Sequence, residues 1–69
     1  MEIKFSKIVK ELREQHRLTQ NDFATAIGTT QRKVSYWETS KIEPDLQSLW
    51  RIADYFDVTV DYLLGRVEI

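Results

Sequence analysis

The fold is decided by the stretch LTQNDFATAIGTTQRKVSYWE, residues 18–38. It predicts two short helices joined by a tight turn. Thr19 is suited to cap the first helix, and Asp22 three residues later completes a capping box. Gly28 stands where that helix must end, because a residue without a Cβ adopts the left-handed conformation at little cost. Thr30 follows as the N-cap of the second helix.

The second helix of this pair separates apolar from polar side chains. Val34 and Trp37 are three residues apart and share one face, which we expect to be buried. The side chains on the other faces are Gln31, Arg32, Ser35 and Tyr36. Donor-bearing side chains at the exposed start of a helix are what the reading of base edges in a major groove requires. The pattern therefore favours recognition of double-stranded DNA, and the alternative is a solvated helix face.

Apolar residues at helical spacing predict three further helices on either side of this pair. The five helices are expected at about Phe5–His16, Gln20–Ile27, Gln31–Thr39, Leu46–Phe56 and Val60–Leu64. Helix 1 has the apolar stripe Phe5, Ile8, Val9 and Leu12, and helix 4 has the stripe Leu46, Leu49, Ile52, Ala53 and Phe56. Asp45 and Thr59 precede helices 4 and 5 as N-caps, and Pro44 interrupts the chain before helix 4. The sequence therefore predicts a compact, all-α, five-helix domain.

Length and composition limit the class of protein. Sixty-nine residues make one domain, which we expect to span 1–69 with its core at 5–65 and a short tail at 66–69. The chain contains no cysteine, so disulfides and thiolate metal sites are excluded and a reducing compartment is expected. The first residues do not resemble a signal peptide, and no segment approaches the roughly 20 apolar residues of a membrane span. We therefore expect a cytoplasmic protein with no membrane partner.

Charge is unevenly distributed along the chain. The net charge is −1, but residues 1–41 carry eight Lys and Arg against five Asp and Glu, whereas residues 42–69 carry two against six. A basic half that faces phosphate and an acidic half that faces away would suit a nucleic-acid-binding protein. The alternative is uneven surface charge without functional meaning, so charge only supports the prediction made from helix 3.

The residues needed for catalysis are sparse. Cysteine is absent, His16 is the only histidine, and there is neither a glycine-rich phosphate loop nor a carboxylate cluster with metal-ligand spacing. His16 ends helix 1, where a cation would suit the helix dipole, and it is assigned no chemistry. We therefore expect no enzymatic activity, no cofactor and no metal site.

Residues in predicted helices 2, 3 and 5, and in the turns and connector next to them, form one larger pattern. They are Leu18-Thr19-Gln20, Phe23-Ala24, Ile27-Gly28, Thr30, Val34-Ser35, Trp37-Glu38, Lys41, Pro44 and Asp61-Tyr62-Leu63-Leu64-Gly65. The pattern resembles the Xre/Cro/C1 family of helix-turn-helix phage repressors and bacterial regulators, over about residues 5–65. Agreement in register through helices 4 and 5 makes the match more specific than one over helices 2 and 3 alone. The resemblance implies a lambda-repressor-like fold and a bacterial or phage-encoded repressor that binds a palindromic operator as a dimer.

The resemblance also implies roles for individual residues. Helix 3 would lie in the major groove, with base contacts from Gln31, Arg32, Ser35 and Tyr36. Phosphate contacts would come from Gln20, Thr30, Lys33 and Lys41, although Lys33 also fits a solvated position. Arg13 and Glu38 match a pair that forms a structural salt bridge between helices 1 and 3. Ser40 stands where the family has glycine; a non-glycine residue in a left-handed turn costs roughly 1 kcal/mol, so we expect the connector to close differently.

Exposed apolar residues bear on the choice of partner. Trp50 lies off the stripe of helix 4 and is expected to be partly exposed, and the other candidates for an exposed patch are Tyr55, Tyr62, Val67 and Ile69. Because such patches are often interfaces, we predict a homodimer formed through helix 5 and the C-terminal tail. The alternative function is an antitoxin or another protein-interaction module of the same fold, which would bind a toxin or partner protein.

Overall fold

Five α-helices make up the part of the chain that the structure, a computed structural model, describes, residues 3–67. They are α1 (Phe5–Gln15), α2 (Gln20–Ile27), α3 (Gln31–Glu38), α4 (Leu46–Phe56) and α5 (Val60–Leu64), and these residues contain no strand. The predicted all-α, five-helix fold is confirmed. Helices α1 and α3 end one residue earlier than predicted, where His16 and Thr39 form the C-caps. Residues 68–69 of the predicted tail lie outside the described part of the chain.

Side-chain caps start three of the helices. The Thr19 hydroxyl accepts a hydrogen bond from the Asp22 amide at 3.0 Å, and the Asp22 carboxylate accepts one from the Thr19 amide at 3.4 Å. Thr30 caps α3 and Thr59 caps α5 in the same manner, each by accepting a bond from an amide three residues later. The predicted caps and capping box are therefore confirmed. Asp45 starts α4 with the extended backbone of an N-cap, although its carboxylate accepts no capping hydrogen bond.

One apolar core joins all five helices. Its buried residues are Phe5, Val9, Leu12, Phe23, Ala24, Ile27, Val34, Trp37, Ile52, Ala53, Phe56 and Leu63. The rings of Phe5 and Trp37 pack edge to face with centroids 6.3 Å apart, and Phe23 stacks on Phe56 at 5.3 Å. The amide of Lys4 donates to the Leu64 carbonyl at 3.1 Å, which ties the start of the chain to the end of α5. The core thus holds α3 by its inner face only.

The placement of Leu46 in the apolar stripe of helix 4 is wrong. Its side chain is 85% exposed, whereas Leu49 is half-buried and Ile52 is fully buried. Side chains of a helix point back toward its N-terminus, and Leu46 is the first residue of α4, so there is no preceding turn for it to cover. Trp50 is 70% exposed, as expected from its position off the stripe.

The connector after α3 closes at Ser40 in a left-handed turn, although we expected a different closure because Ser40 is not glycine. Ser40 adopts the left-handed conformation, with φ +62°, that glycine has in the family. Its amide donates to the Trp37 carbonyl at 3.3 Å, the Lys41 amide donates to the Tyr36 carbonyl at 2.9 Å, and the Ser6 and Ser40 hydroxyls are 2.8 Å apart. Paired bonds of this kind satisfy the last carbonyls of a helix. They offset the roughly 1 kcal/mol that a left-handed serine costs, so the expectation of a different closure is wrong.

Substitutions at Ser40 test this account. Ser40→Val is expected to lower the free energy of unfolding by about 1–2 kcal/mol, because a β-branched side chain fits the left-handed region poorly. For Ser40→Gly we expect a change within about 0.5 kcal/mol, since relief of the left-handed cost is offset by the greater freedom of glycine in the unfolded chain. Urea denaturation of the three proteins measures both. Equal stability of the valine and glycine variants would contradict the left-handed assignment.

Candidate nucleic-acid interface

The turn between α2 and α3 is short and leaves the start of α3 uncovered. Gly28 ends α2 with φ +76°, and a Cβ placed there would lie 3.2 Å from the Arg51 guanidinium. The amide of Thr29 donates to the Ala24 carbonyl at 2.9 Å and closes the turn. Thr30 then caps α3. Glycine is needed here because the left-handed backbone and the nearby side chain both disfavour a Cβ.

Helix α3 turns its first residues to solvent and its inner face to the core. The exposed residues are Gln31, Arg32 and Lys33, the half-buried ones are Ser35, Tyr36 and Glu38, and the buried ones are Val34 and Trp37. The four residues predicted to contact bases therefore differ in accessibility, since two lie in the exposed first turn and two are partly covered. Thr30 just before the helix is also exposed. A helix exposed at its N-terminal turn and anchored by its opposite face can enter a groove without unfolding the core.

A chain of hydrogen bonds connects the first turn of α3 to α1. The Gln31 side-chain amide donates to the Gln20 Oε1 at 2.6 Å, and the Gln20 amide donates to the Glu38 Oε1 at 3.1 Å. The Arg13 guanidinium donates to both carboxylate oxygens of Glu38, at 2.7 and 3.1 Å, and to the Leu18 carbonyl at 2.7 Å. We call these residues the Arg13–Gln31 network. It fixes the orientation of Gln20 and Gln31, the first residues of α2 and α3.

The Arg13–Glu38 ion pair is the inner end of this network. The Arg13 and Glu38 side chains are 12% and 3% exposed. The pKa of Arg13 is raised, first by its hydrogen bonds to Glu38 and then by the charge of that carboxylate, against an opposing effect of burial. A buried pair of this kind orients its surroundings, and loss of one partner leaves an uncompensated charge. The Leu18 carbonyl was missed in the sequence, because a backbone acceptor carries no residue-type signal.

Lys41 and Tyr36 form a second unit at the far end of α3. The Lys41 ammonium lies 5.5 Å from the centre of the Tyr36 ring, a distance at which a cation is attracted to an aromatic face. The amides of Lys41 and Ile42 both donate to the Tyr36 carbonyl, at 2.9 and 3.5 Å, so the connector folds back against the end of the helix. This arrangement places one exposed cation next to the half-buried tyrosine.

Lys33 is a further exposed cation of α3. The pKa of Asp45 is lowered, chiefly by the side chain of Ser48 and to a smaller extent by the Lys33 ammonium. Together, Arg32, Lys33 and Lys41 give the outer surface of α3 and its connector a positive charge.

The described residues contain no group of three or more side chains suited to hold a metal ion. Within residues 3–67, no helix is both long enough and apolar enough to pass through a bilayer. No buried side-chain nitrogen or oxygen in this part of the chain lacks a hydrogen-bond partner.

The geometry of α2 and α3 defines a helix-turn-helix domain. Comparison with protein families agrees, because a family model described as helix-turn-helix matches residues 9–63, which include most of α1 and nearly all of α5. The chain belongs to the Xre/Cro/C1-type helix-turn-helix family of transcriptional regulators, whose members bind DNA.

Individual relatives share the sequence or the fold. The chain is 38% identical over 60 residues to the uncharacterized HTH-type transcriptional regulator YqaE of Bacillus subtilis, an alignment that covers 87% of this chain and 52% of YqaE. It therefore spans about half the length of that relative. A transcriptional regulator from Listeria innocua superposes with a TM-score of 0.90 and 28% identity, covering 100% of this chain and 64% of that one. The P22 c2 repressor, solved with a synthetic operator, shares the fold with a TM-score of 0.85 at 22% identity, covering 91% and 96% of the two chains.

Proposed function

We propose that this chain is a cytoplasmic transcriptional repressor that binds a palindromic operator as a homodimer, with α3 in the major groove. The observation that carries the proposal is the exposed first turn of α3, held in place by the Arg13–Gln31 network. Two subunits would present their α3 helices about 34 Å apart, one turn of DNA, to the two halves of the operator. Occupation of a promoter by such a dimer would exclude RNA polymerase, so repression needs no further activity.

The base contacts are assigned to Gln31, Arg32, Ser35 and Tyr36. Arg32 is exposed, and a guanidinium can donate two hydrogen bonds to O6 and N7 of guanine. Gln31 presents an amide of the kind that pairs with adenine, and its bond to Gln20 limits the directions it can take. Ser35 and Tyr36 are half-buried, so they can contact only those DNA atoms that come close to the helix. The tyrosine ring is suited to packing on a thymine methyl group or a sugar.

The phosphate contacts are assigned to Gln20, Thr30, Lys33 and Lys41. Gln20, Thr30 and Lys33 lie at the starts of α2 and α3, and Lys41 lies on the connector after α3. Contacts to phosphate fix the register of the protein on DNA and carry no sequence information. They make binding depend steeply on salt, because each neutralised phosphate releases counterions.

Selection of bound sequences from random duplex DNA tests the proposal. We expect an enriched inverted repeat whose half-sites are centred about one helical turn apart. Binding of the selected duplex should weaken linearly in a plot of log affinity against log salt. A protein that enriches no sequence would contradict sequence-specific binding, and enrichment of a single unrepeated site would contradict the dimeric arrangement.

Arginine and lysine variants separate base contact from phosphate contact. Arg32→Ala is expected to weaken binding to the selected operator by about 1–3 kcal/mol and to relax preference at one base position. For Lys41→Ala we expect binding to weaken by the same factor on every DNA sequence. The slope of log affinity against log salt should become shallower by about 1. Fluorescence anisotropy on operator and scrambled duplexes measures both. Equal losses on the two duplexes for Arg32→Ala would remove Arg32 from the base contacts.

A second candidate function is that of an antitoxin or interaction module that binds a partner protein. The observation that favours it is the exposure of Leu46 and Trp50, two large apolar side chains one helical turn apart. Exposed apolar patches mark interaction sites in soluble proteins. Co-purification of a small toxic protein with this chain, in a complex that survives loss of DNA, would support this function.

A further inference from the structure

A hollow of about 330 Å³ lies where residues 3–6, the connector after α3, the start of α4 and the end of α5 meet. Its apolar lining consists of Ile3, Phe5, Ile42, Pro44, Leu49 and Leu64. Ligand sites in proteins have volumes of about 300–1,000 Å³ and a mostly apolar lining with a few polar groups. The hollow is at the lower end of this range, and it has roughly twice the volume of an apolar cavity that holds benzene. It therefore has room for one ring with a short substituent.

The polar side of the hollow offers more hydrogen-bond acceptors than donors. It consists of Ser6, Ser40 and Glu43. The Ser6 and Ser40 hydroxyls are 2.8 Å apart, so one donates to the other and a single hydroxyl hydrogen is left for a further partner. The Glu43 carboxylate is exposed, acts only as an acceptor and forms no ion pair within residues 3–67. A ligand that donates hydrogen bonds and carries a positive charge would complement this side.

Among residues 3–67, no lysine or arginine lines the hollow, which disfavours anionic ligands. Lys4 and Lys41 are neighbours of lining residues in the sequence, but neither contributes to the lining. The side chain of Lys4 lies against Gly65, and the Lys41 ammonium lies 5.5 Å from the centre of the Tyr36 ring. An anion in the hollow would therefore meet the charge of Glu43 without a cation to offset the repulsion.

We infer that this hollow binds a small organic amine, in which an aromatic ring or a short alkyl group carries one ammonium group. The apolar part of the ligand lies against Phe5, Leu49 and Leu64, and its ammonium donates hydrogen bonds to the Glu43 carboxylate and a serine hydroxyl. Charge-assisted hydrogen bonds are about twice as strong as neutral ones. Removal of apolar surface from water supplies the rest of the affinity. Both parts of the ligand are therefore needed.

Occupation of the hollow is expected to act on the connector that carries Lys41. Ser40 and Ile42, on either side of Lys41, both line the hollow. Glu43 and Pro44 form no backbone–backbone hydrogen bond with the described residues, so few contacts hold this segment. A bound amine adds contacts on both sides of Lys41 and holds it in the place proposed for its phosphate contact. The amine should therefore strengthen operator binding, a step that rests on the proposed function.

NMR titration of the isotope-labelled chain without DNA tests the site. The probe is phenethylamine, and its matched probes are phenethyl alcohol, which is uncharged, and phenylacetate, which is anionic. The amine is expected to bind with a dissociation constant of about 0.1–10 mM, as for other ligands of its size. It should shift the amide signals of Ser6, Ser40 and Leu49 and leave those of Arg32 and Trp50 in place. The alcohol should bind about three-fold more weakly, and phenylacetate more weakly still.

The variant Glu43→Gln separates the charge from the rest of the site. Glu43 is exposed and glutamine has nearly the same size, so the fold is expected to be kept. Affinity for phenethylamine should fall about three-fold, to that of the alcohol, whereas affinity for the alcohol should stay the same. The matched control is Asp57→Asn, which removes an exposed acid that does not line the hollow and should change neither affinity. Ile42→Ser, at an exposed position of the apolar lining, should weaken both probes.

Three results would overturn the assignment of the hollow. The first is equal affinity for the amine, the alcohol and phenylacetate. The second is a set of shifted signals that leaves out Ser6, Ser40 and Leu49. The third is a preference for the amine over the alcohol that persists in Glu43→Gln, because the carboxylate would then play no part.

The effect on DNA is measured separately. Saturating phenethylamine is expected to raise the affinity for the selected operator about five-fold, relative to the same concentration of ammonium chloride. An unchanged operator affinity would overturn the action on the connector and leave the binding site standing. If no DNA sequence is enriched, the proposed function fails, while the NMR titration still decides whether the hollow binds amines.

Discussion

Replacement of Glu38 by alanine is expected to lower the free energy of unfolding by about 2–3 kcal/mol, because it leaves the half-buried Arg13 guanidinium without its partner carboxylate. The Glu38 side chain is 3% exposed and accepts hydrogen bonds from Arg13 and Gln20. A chain of 69 residues has a total stability of about 3–10 kcal/mol. The variant is therefore expected to lose a large part of its stability and to unfold at a clearly lower urea concentration, as measured by urea denaturation followed by far-UV circular dichroism.

The control removes both charges. Arg13→Met/Glu38→Leu fills the same space with apolar side chains, and replacement of a buried pair in this way is often neutral or stabilising. We expect it to fold. It should nevertheless bind the selected operator less tightly, since Gln20 loses its acceptor and Gln31 is no longer held through it. An unchanged free energy of unfolding in Glu38→Ala would contradict the account, as would operator binding unaffected in the folded double variant.

The second large effect is expected at Trp37. Its side chain is 1% exposed and packs on Phe5 from the inner face of α3. Trp37→Ala is expected to lower the free energy of unfolding by about 3–5 kcal/mol, since it removes the largest buried side chain and leaves a cavity. That loss detaches α3 from the core, so DNA binding is expected to disappear together with the cooperative unfolding transition.

Trp50 provides the matched comparison for this prediction. It is the only other tryptophan of the chain and is 70% exposed. Trp50→Ala should change the free energy of unfolding by no more than about 0.5 kcal/mol, as for surface positions in general. Thermal unfolding of both variants by differential scanning calorimetry tests the pair. Similar destabilisation by the two substitutions would show that the assignment of core and surface to the two tryptophans is wrong.

Much of the local structure could be predicted from the residues. The bounds of α2, α4 and α5 agree with the predicted ones, and those of α1 and α3 differ by one residue at their C-terminal ends. The caps at Thr19, Thr30 and Thr59 were identified because capping depends on residues three positions apart. Gly28 was identified because few residue types tolerate its backbone conformation.

Predictions of burial and of side-chain partners were less complete. Leu46 fits the helical stripe by spacing, but spacing does not tell where the neighbouring elements end. The burial of Leu63 was not predicted, although its side chain is fully buried, because α5 has only five residues and too few turns to define a face. Ser40 is left-handed because of bonds to α3 and to Ser6, which lies 34 positions away in the chain.

The sequence by itself determined five helices, their caps, the apolar inner face of α3 and the family to which the chain belongs. The helices, their caps and the inner face of α3 depend on interactions within about four residues along the chain, which spacing and residue type describe. The family was identified from a longer pattern of residues, from Leu18 to Gly65. Only the tertiary structure decided that Gln31, Gln20, Glu38 and Arg13 form one hydrogen-bonded network and that the side chain of Leu46 stands uncovered. Such features arise where distant parts of the chain meet, because a side chain's partner and its burial depend on which elements pack against it.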